Sequence, residues 1–253
     1  MSDLAFIGLD DTDVLGSPGT GRIARGLAQH LADSGLGMPL GVTRHQLLVS
    51  AEIKYTSHNS SLCLVLRLKV PISGLYQPCS DYLVGHFQEG ADPGLCLGVK
   101  EQVGDEVIGF GRVAAREVLS KQEAINLAAR SGLFLKELGG SGNGIIGALA
   151  AVALRAGGNS GRFVELKGIR QISGLVSVAE LKKRTDIVSV EDAGARVLGD
   201  GELINSLDWV RPSLQKGQAV LRVRPVFDQA GNRVWLSLEV KKGRSNKRAE
   251  GKD

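Results

Sequence analysis

Residues 4–13 read LAFIGLDDTD, and this stretch decides the fold of the N-terminal part of the chain. Its apolar half predicts a buried β-strand, and Asp10, Asp11, Thr12 and Asp13 follow that strand directly. Three crowded carboxylates repel one another unless a cation or hydrogen-bond donors neutralise them. A hard, oxygen-seeking ion such as Mg²⁺ meets this need and usually arrives with phosphates. The loop is a candidate Mg²⁺ site; the alternative is that its acids only cap a turn and a helix.

A helix is predicted to follow this acidic loop. Apolar residues recur at four-residue intervals within 19–32, which is typical of an amphipathic helix. Gly19, Thr20 and Gly21 stand at its start, where small residues leave backbone N–H groups open to an anion. One loop thus combines acids for a metal with a helix start for a phosphate, although it lacks the Gly-Lys-Ser/Thr of a Walker motif.

Strands and helices alternate along the rest of the chain. The patterns predict strands at 40–50 and 61–68, a short strand within 90–98, helices at 76–88, 120–132, 145–158 and after 177, and a hairpin built from 219–227 and 233–241. Two of these helix starts carry capping boxes, Ser120 with Glu123 and Ser177 with Glu180. The predicted class is α/β or α+β with two subdomains.

Four further polar features could contribute to a site. His58 lies among hydroxyls and an amide in IKYTSHNSS, residues 53–61, which could hold a phosphate, a ribose or a base edge, or could be only a polar turn. GGSGNG, residues 139–144, precedes an Ala-rich helix, where an anion site and close helix–sheet packing explain the glycines equally well. The tripeptide 92–94, DPG, is a turn. His45, beside Arg44, could join the site, but strand packing explains it better.

Charge and cysteine content narrow the function classes. The segment 241–253 holds six Lys or Arg and two acids, whereas the other 240 residues hold 25 of each sign. The body of the chain therefore does not require a polyanionic partner. Three cysteines without a CxxC pair argue against a zinc site and fit a reducing cytosol. No apolar run approaches the roughly 18 residues that a membrane helix needs.

Taken in order, these motifs resemble the archaeal tRNA(Ile) agmatinylcytidine synthetase family over most of residues 4–156. The shared order is a strand, DDTD, a loop, a threonine, a helix, a T-x-x-N segment, a [DN]-P-G turn and a glycine loop leading into IGALAA. Enzymes of this family use ATP to attach agmatine to a cytidine in the anticodon of an isoleucine tRNA. The resemblance implies a kinase-like N-terminal domain followed by a ferredoxin-like domain, with the small substrate bound between them.

The resemblance and the sequence patterns together predict domain boundaries and residue roles. The ATP- and Mg²⁺-binding kinase-like domain would span 1–118, the ferredoxin-like domain 119–205, a β-hairpin extension 206–242 and a disordered basic tail 243–253. Candidate metal ligands and catalytic residues are Asp10, Asp11 and Asp13, with Thr20 and His58 as further catalytic candidates. Candidate ATP-binding residues are Thr12, Gly19, Gly21, Thr56, Asn59, Gly142, Asn143 and Gly144, and candidate substrate-binding residues are Asp92, Pro93 and Gly94.

The sequence departs from the family pattern at several points. The family's cysteine is Gly19 here, its second threonine is Gly21, and its Arg-Gly is Ser57–His58. The family's zinc ribbon is absent, and a full OB-fold does not fit after residue 200. In the family, the zinc ribbon and the OB-fold would bind tRNA. The departures therefore imply that the ATP-dependent chemistry is better preserved in this chain than the recognition of a tRNA substrate.

The predicted function is that of a cytoplasmic enzyme using ATP and Mg²⁺. It would activate an oxygen by phosphoryl or adenylyl transfer and then let an amine attack. The expected partners are ATP and a small amine or metabolite, with tRNA as a further candidate and no membrane. Two alternatives stay open: a non-catalytic nucleotide sensor, and an RNA-binding protein that uses the basic tail and the hairpin. The neutral body and the 4% of aromatic residues argue against the second.

Overall fold

The structure of this chain is a computed structural model that describes residues 3–17, 19–53, 59–227 and 231–238. Its strands are β1 (Leu4–Asp10), β2 (Gly37–Gln46), β3 (Ser60–Leu68), β4 (Gly94–Val99), β5 (Phe134–Glu137), β6 (Arg162–Glu165), β7 (Leu175–Ser177), β8 (Ile187–Glu191), β9 (Leu203–Asn205), β10 (Ser213–Gln215), β11 (Gln218–Phe227) and β12 (Arg233–Ser237). Its α-helices are α1 (Thr20–Asp33), α2 (Ser73–Val84), α3 (Asp105–Ala114), α4 (Lys121–Ser131), α5 (Gly144–Gly157) and α6 (Val178–Arg184). This mixture of helices with mostly antiparallel strands confirms the predicted α+β class.

The chain divides into two compact units. The first contains residues up to 167 together with 214–218, and the second contains residues 168–213 together with those from 219 onward. The predicted boundary between residues 118 and 119 lies inside the first unit, because α4, β5 and α5 pack with β1 and β4 there. Among the described residues, no helix is long and apolar enough to cross a membrane.

The first unit is a three-layer structure around one sheet. Strands β5-β4-β1-β3-β2-β6 follow one another in this order, and each is antiparallel to its neighbours. Side chains alternate between the two faces, so Ile7 packs with α1 and α2 while Phe6 packs with α3, α4 and α5. Helix α5 is buried on nearly every side, which explains its almost uniformly apolar sequence.

The approach of α5 to the sheet requires glycine at two strand positions. A Cβ atom placed on Gly8 would lie 2.0 Å from the carbonyl oxygen of Ala148. At the start of the helix, a Cβ on Gly94 would lie 2.1 Å from the carbonyl carbon of Gly144. Both clashes involve backbone atoms, which cannot rotate away as a side chain can. Helix α5 is therefore fixed against β1 and β4 at close range.

The second unit is a smaller sheet with one helix. Its strands follow the order β7-β9-β12-β11, and β8 pairs in parallel with β11. The predicted hairpin is confirmed by the antiparallel pairing of β11 with β12. Helix α6 starts at the predicted cap, where the Ser177 hydroxyl accepts a hydrogen bond from the Glu180 N–H.

Candidate functional site

Loops that carry most of the predicted site residues meet at one edge of the sheet in the first unit. Asp10 ends β1 and pairs with Gly94 at the start of β4, and Gly94 pairs with Glu137 at the end of β5. Gln46 at the end of β2 pairs with Ser60 at the start of β3. The acidic loop, the 92–94 turn, the glycine loop 139–144 and the connection into β3 therefore gather at this edge.

The acidic loop is held against the turn that precedes β4. The Asp11 carbonyl accepts a hydrogen bond from the Asp92 N–H at 3.1 Å, and the Thr12 carbonyl accepts one from the Gln88 N–H at 3.1 Å. Asp11 has a φ of 47°, in the left-handed region that residues other than glycine seldom occupy. These two backbone bonds hold the loop in that conformation and fix where its carboxylates lie.

Asp13 and Thr20 form a pair at the start of α1. The Thr20 hydroxyl donates to Asp13 Oδ1 at 2.7 Å, and Thr20 is buried. Gly19 precedes the helix and has no side chain that could cap it. The first turn of α1 thus brings together a positioned hydroxyl, a carboxylate and the positive end of the helix dipole.

Asp10 faces the other side of the sheet from Thr20. Its carboxylate lies against the first turns of α5, where a Cβ on Gly147 would be 1.7 Å from Asp10 Oδ2. The pKa of Asp10 is raised to about 7, mainly by burial; the N–H of Asp11 acts to lower it, and the charges of Asp11 and Asp13 act to raise it. The charge of Arg44 lowers it by a smaller amount. Asp10 is therefore a desolvated carboxyl.

The three acids are not arranged as a ready-made metal cage. Within the part of the chain that the structure describes, no three His, Cys, Asp or Glu side chains converge to hold a metal ion. Asp10 packs against Gly147 while Asp13 binds Thr20, which separates two of the three predicted ligands. Mg²⁺ in nucleotide sites usually takes only one or two carboxylates and completes its shell with phosphate oxygens and water. The acidic loop therefore fits a Mg²⁺ ion that is held by one or two carboxylates and completed by phosphate oxygens and water. It does not fit an ion held by all three carboxylates at once.

Asp10→Asn should make the protein more stable at alkaline pH. A carboxyl whose pKa is about 7 in the folded state and about 4 when unfolded binds its proton more tightly in the folded state. The free energy of unfolding therefore falls as pH rises from about 4 to about 7, and the asparagine variant lacks this loss. Thermal unfolding without metal or nucleotide should show a higher Tm for the variant at pH 8 and a shrinking difference toward pH 4. A difference that does not change with pH would contradict the assignment.

The glycine loop is held by a carboxylate from the same chain. Asp92 accepts hydrogen bonds from the Gly142 N–H at 2.6 Å and the Asn143 N–H at 3.1 Å, and the Ser141 hydroxyl also donates to it. Two of the N–H groups predicted to bind a nucleotide phosphate are therefore already occupied. Asp92 anchors this loop, whereas the sequence suggested that it binds substrate.

Close packing explains Gly144, the last glycine of that loop. A Cβ on Gly144 would lie 1.9 Å from the carbonyl oxygen of Asp92 and 2.8 Å from the N atom of Gly94. Of the two explanations that the sequence left open, close helix–sheet contact accounts for this geometry. Pro93 takes part in the same turn, where its carbonyl accepts a hydrogen bond from the Leu138 N–H at 2.9 Å.

The polar segment before β3 is described only in part. Asn59 is buried, and its side chain donates to the Leu48 carbonyl at 2.6 Å. Its own carbonyl accepts from the Leu47 N–H at 2.9 Å, so Asn59 ties the connection between β2 and β3 together. The other two candidates, Thr56 and His58, lie outside the described residues.

Sequence reasoning missed Arg44. This residue is half-buried on β2, and its Nε donates to Ser60 Oγ at 2.7 Å. Burial and then the charge of Arg162 lower the pKa of Arg44, whereas the charges of Asp13 and Asp10 raise it by smaller amounts. His45, the neighbour that attracted attention in the sequence, is instead fully buried beside Thr43, and burial followed by the charge of Arg155 lowers its pKa to about 3. Side chains alternate along a strand, so Arg44 and His45 point to opposite faces of the sheet. From this alternation, the sequence could have indicated Arg44 as the candidate instead of His45.

Comparisons with known proteins connect this geometry to one group of solved structures. Neither a protein-family model nor a curated protein matches the sequence. The fold is similar to apo TiaS, an agmatidine synthetase for an isoleucine tRNA, with 21% identity and a TM-score of 0.50 over 59% of this chain and 35% of that one. A complex of TiaS with that tRNA and ATP gives 23% identity and a TM-score of 0.52 over 59% and 36%.

A structure described as a tRNA fluorescent labeling enzyme gives 25% identity and a TM-score of 0.51 over 59% of this chain and 36% of that one. Our chain spans only about a third of the length of these proteins. Over 59% of its length, the chain therefore has the fold of part of the tRNA agmatidine synthetase TiaS, as a shorter structural relative of that enzyme.

Proposed function

We propose that this protein is an ATP-dependent, RNA-modifying enzyme that activates an oxygen atom by phosphoryl or adenylyl transfer, so that an amine can attack. The observation that carries the proposal is the Thr20–Asp13 pair at the start of α1, which is not capped by a side chain, close to the charge of Arg44. A hydroxyl, a carboxylate, a helix N-terminus and a guanidinium are groups that can position and stabilise a phosphoryl group during its transfer. The similarity to TiaS, solved with ATP and an isoleucine tRNA, supports this proposal.

Each group has a separate task in the proposed reaction. The first-turn N–H groups of α1 bind phosphate oxygens and stabilise the charge that develops on them. Asp13 Oδ1 holds the Thr20 hydroxyl hydrogen, so the Thr20 oxygen faces the phosphate with a lone pair, whether it accepts a phosphoryl group or only orients one. Mg²⁺, held by Asp11 and Asp13 together with phosphate oxygens, would offset the remaining negative charge.

The other assignments stay part of this proposal. The kinase-like and ferredoxin-like description of the two domains rests on the family resemblance. The roles of Thr12, Gly19 and Gly21 in holding the nucleotide rest on their positions in the acidic loop and at the start of α1. A cytoplasmic location rests on the cysteine content. The acceptor in this proposal is an RNA, and the attacking group is a small amine.

The test is a turnover assay on the full chain. Protein, Mg²⁺ and ATP labelled at either the α- or the γ-phosphate are incubated with total small RNA, with and without agmatine. We expect Mg²⁺-dependent release of label that an RNA acceptor accelerates, and the position of the released label identifies the bond that is cleaved. Binding of ATP without any turnover would make the protein a nucleotide sensor, and absence of both would reject the proposal.

A further inference from the structure

A second hydroxyl–carboxylate pair lies in the glycine loop. The Ser141 hydroxyl donates a hydrogen bond to Asp92 Oδ2, as the Thr20 hydroxyl does to Asp13. The Asn143 side-chain amide donates to Ser141 Oγ at 2.9 Å. A hydroxyl oxygen has two lone pairs, so the bond from Asn143 leaves one of them for a reaction. The Ser141 proton already points at a carboxylate, which is the arrangement of a nucleophile and its base.

Ser141 is exposed and stands between two glycines. Gly140 has a φ of 64° and Gly142 a φ of 79°, in the left-handed region that favours glycine. A Cβ on Gly142 would lie 2.0 Å from Glu137 Oε2, and a Cβ on Gly140 would lie 2.9 Å from Asp92 Oδ1. The two glycines therefore let the chain turn Ser141 onto Asp92, and they leave its oxygen open to a group that approaches from solvent.

A lysine is held beside the same serine. Lys121 Nζ donates to the Ser141 carbonyl at 2.9 Å and to Glu137 Oε2 at 2.7 Å. A Cβ on Gly142 would lie 2.5 Å from Lys121 Nζ, so the ammonium group lies directly against the loop. A lysine binds phosphate as a point charge. Lys121 can therefore offset negative charge that arrives at Ser141, while Glu137 keeps it in place.

The Ser141–Asp92 pair borders the acidic loop. The Asp92 N–H donates to the Asp11 carbonyl at 3.1 Å, so the turn that carries the base contacts the loop that carries the proposed Mg²⁺ ligands. Asp10 pairs with Gly94, two residues after Asp92. Phosphates bound through Mg²⁺ on Asp11 would therefore lie at the same edge of the sheet as the Ser141 oxygen.

We propose that Ser141 accepts the γ-phosphoryl group of ATP and becomes a phosphoserine. Ser141 Oγ forms the new bond to phosphorus, while the bond from phosphorus to the oxygen that bridges the β- and γ-phosphates breaks. ADP leaves, and the hydroxyl proton passes to the Asp92 carboxylate. Lys121 offsets the charge of the new phosphoserine. This inference rests on the proposed function, because the chain must first bind Mg·ATP.

The test incubates the full chain with Mg²⁺ and ATP labelled at the γ-phosphate, and mass spectrometry of its peptides then locates the phosphate. We expect phosphate on Ser141 in the wild type and none at this position in Ser141→Ala. Asp92→Asn should slow the labelling at least about 100-fold, because an amide cannot take the proton. The matched control is Ser120→Ala, since the Ser120 hydroxyl also donates to a carboxylate, that of Glu123 at 2.7 Å, in the cap of α4. This control should be labelled on Ser141 like the wild type.

The outcomes separate this inference from the proposed function. Phosphate on Thr20 and none on Ser141 would overturn the inference and leave the proposed function standing. The same holds if the wild type turns over ATP without carrying any label. An Asp92→Asn variant labelled at the wild-type rate would overturn the role of Asp92 as base. Wild-type protein that does not bind ATP would reject both. Tm values of the variants close to that of the wild type would show that a loss of labelling does not come from unfolding.

Discussion

Asp13→Asn should weaken Mg²⁺-dependent ATP binding by at least about 100-fold while leaving the fold intact. Asparagine has nearly the same shape as aspartate, and its Oδ1 can still accept the 2.7 Å hydrogen bond from Thr20. The variant removes the negative charge of the Asp13 carboxylate, which is a proposed ligand of the Mg²⁺–phosphate complex. Because one repulsion with Asp10 and Asp11 also disappears, the Tm without metal should hold or rise.

The measurement is a titration of wild type and variant with ATP, at saturating Mg²⁺ and again in EDTA. Asp33→Asn provides the matched control, since Asp33 is an exposed carboxylate at the far end of the same helix, bonded to Gln29. We expect the control to bind Mg·ATP like wild type. An Asp13→Asn variant that also does so would exclude Asp13 as a ligand of the metal, and the proposed function would lose its main support.

Local patterns made parts of the fold predictable. Strand β1 and helix α1 were placed within one residue because a continuous apolar run and a four-residue repeat have no competing interpretation. Helix α3 was missed because Gly109 and Gly111 lower its helix propensity. A Cβ on Gly111 would lie 2.7 Å from Cβ of Ala153, so this glycine serves contact with α5. That contact joins residues about 40 positions apart, and no local pattern reports it.

In the candidate site too, contacts between residues that are close in the sequence were predictable, whereas contacts between distant residues were not. The grouping of Asp13 with Thr20 follows from a short loop, so the sequence could suggest it. The role of Asp92 could not be seen, because its partners Gly142 and Asn143 lie 50 and 51 residues further along the chain. Arg44 and Arg162 are 118 residues apart and become neighbours only through the pairing of β2 with β6. Residues that act through pairing of distant strands need the three-dimensional structure to be found.

Gly8→Ala should cause a large loss of stability, because it adds a methyl group where strand β1 touches helix α5. The new Cβ would lie 2.0 Å from the Ala148 carbonyl oxygen and 2.9 Å from Cγ2 of Val152. The first contact is with the backbone of α5, so relief requires the whole helix to move away from the central strand β1. Overpacking of a core costs about 1–3 kcal/mol and occasionally more. We expect about 3 kcal/mol or more here, which corresponds to a fall in Tm of roughly 6–12 °C.

Gly109→Ala is the control for this loss, because no heavy atom lies within 4 Å of the Cβ position at Gly109 in helix α3. An alanine there should stabilise the helix by about 0.5–1 kcal/mol, so the two variants should move Tm in opposite directions. Since Gly147 of the same displaced helix packs on Asp10, Gly8→Ala should also reduce the pH dependence of stability that the desolvated Asp10 carboxyl produces. A Gly8→Ala protein with the Tm and pH profile of wild type would mean that α5 does not lie this close to β1, and the burial of Asp10 would have to be explained in another way.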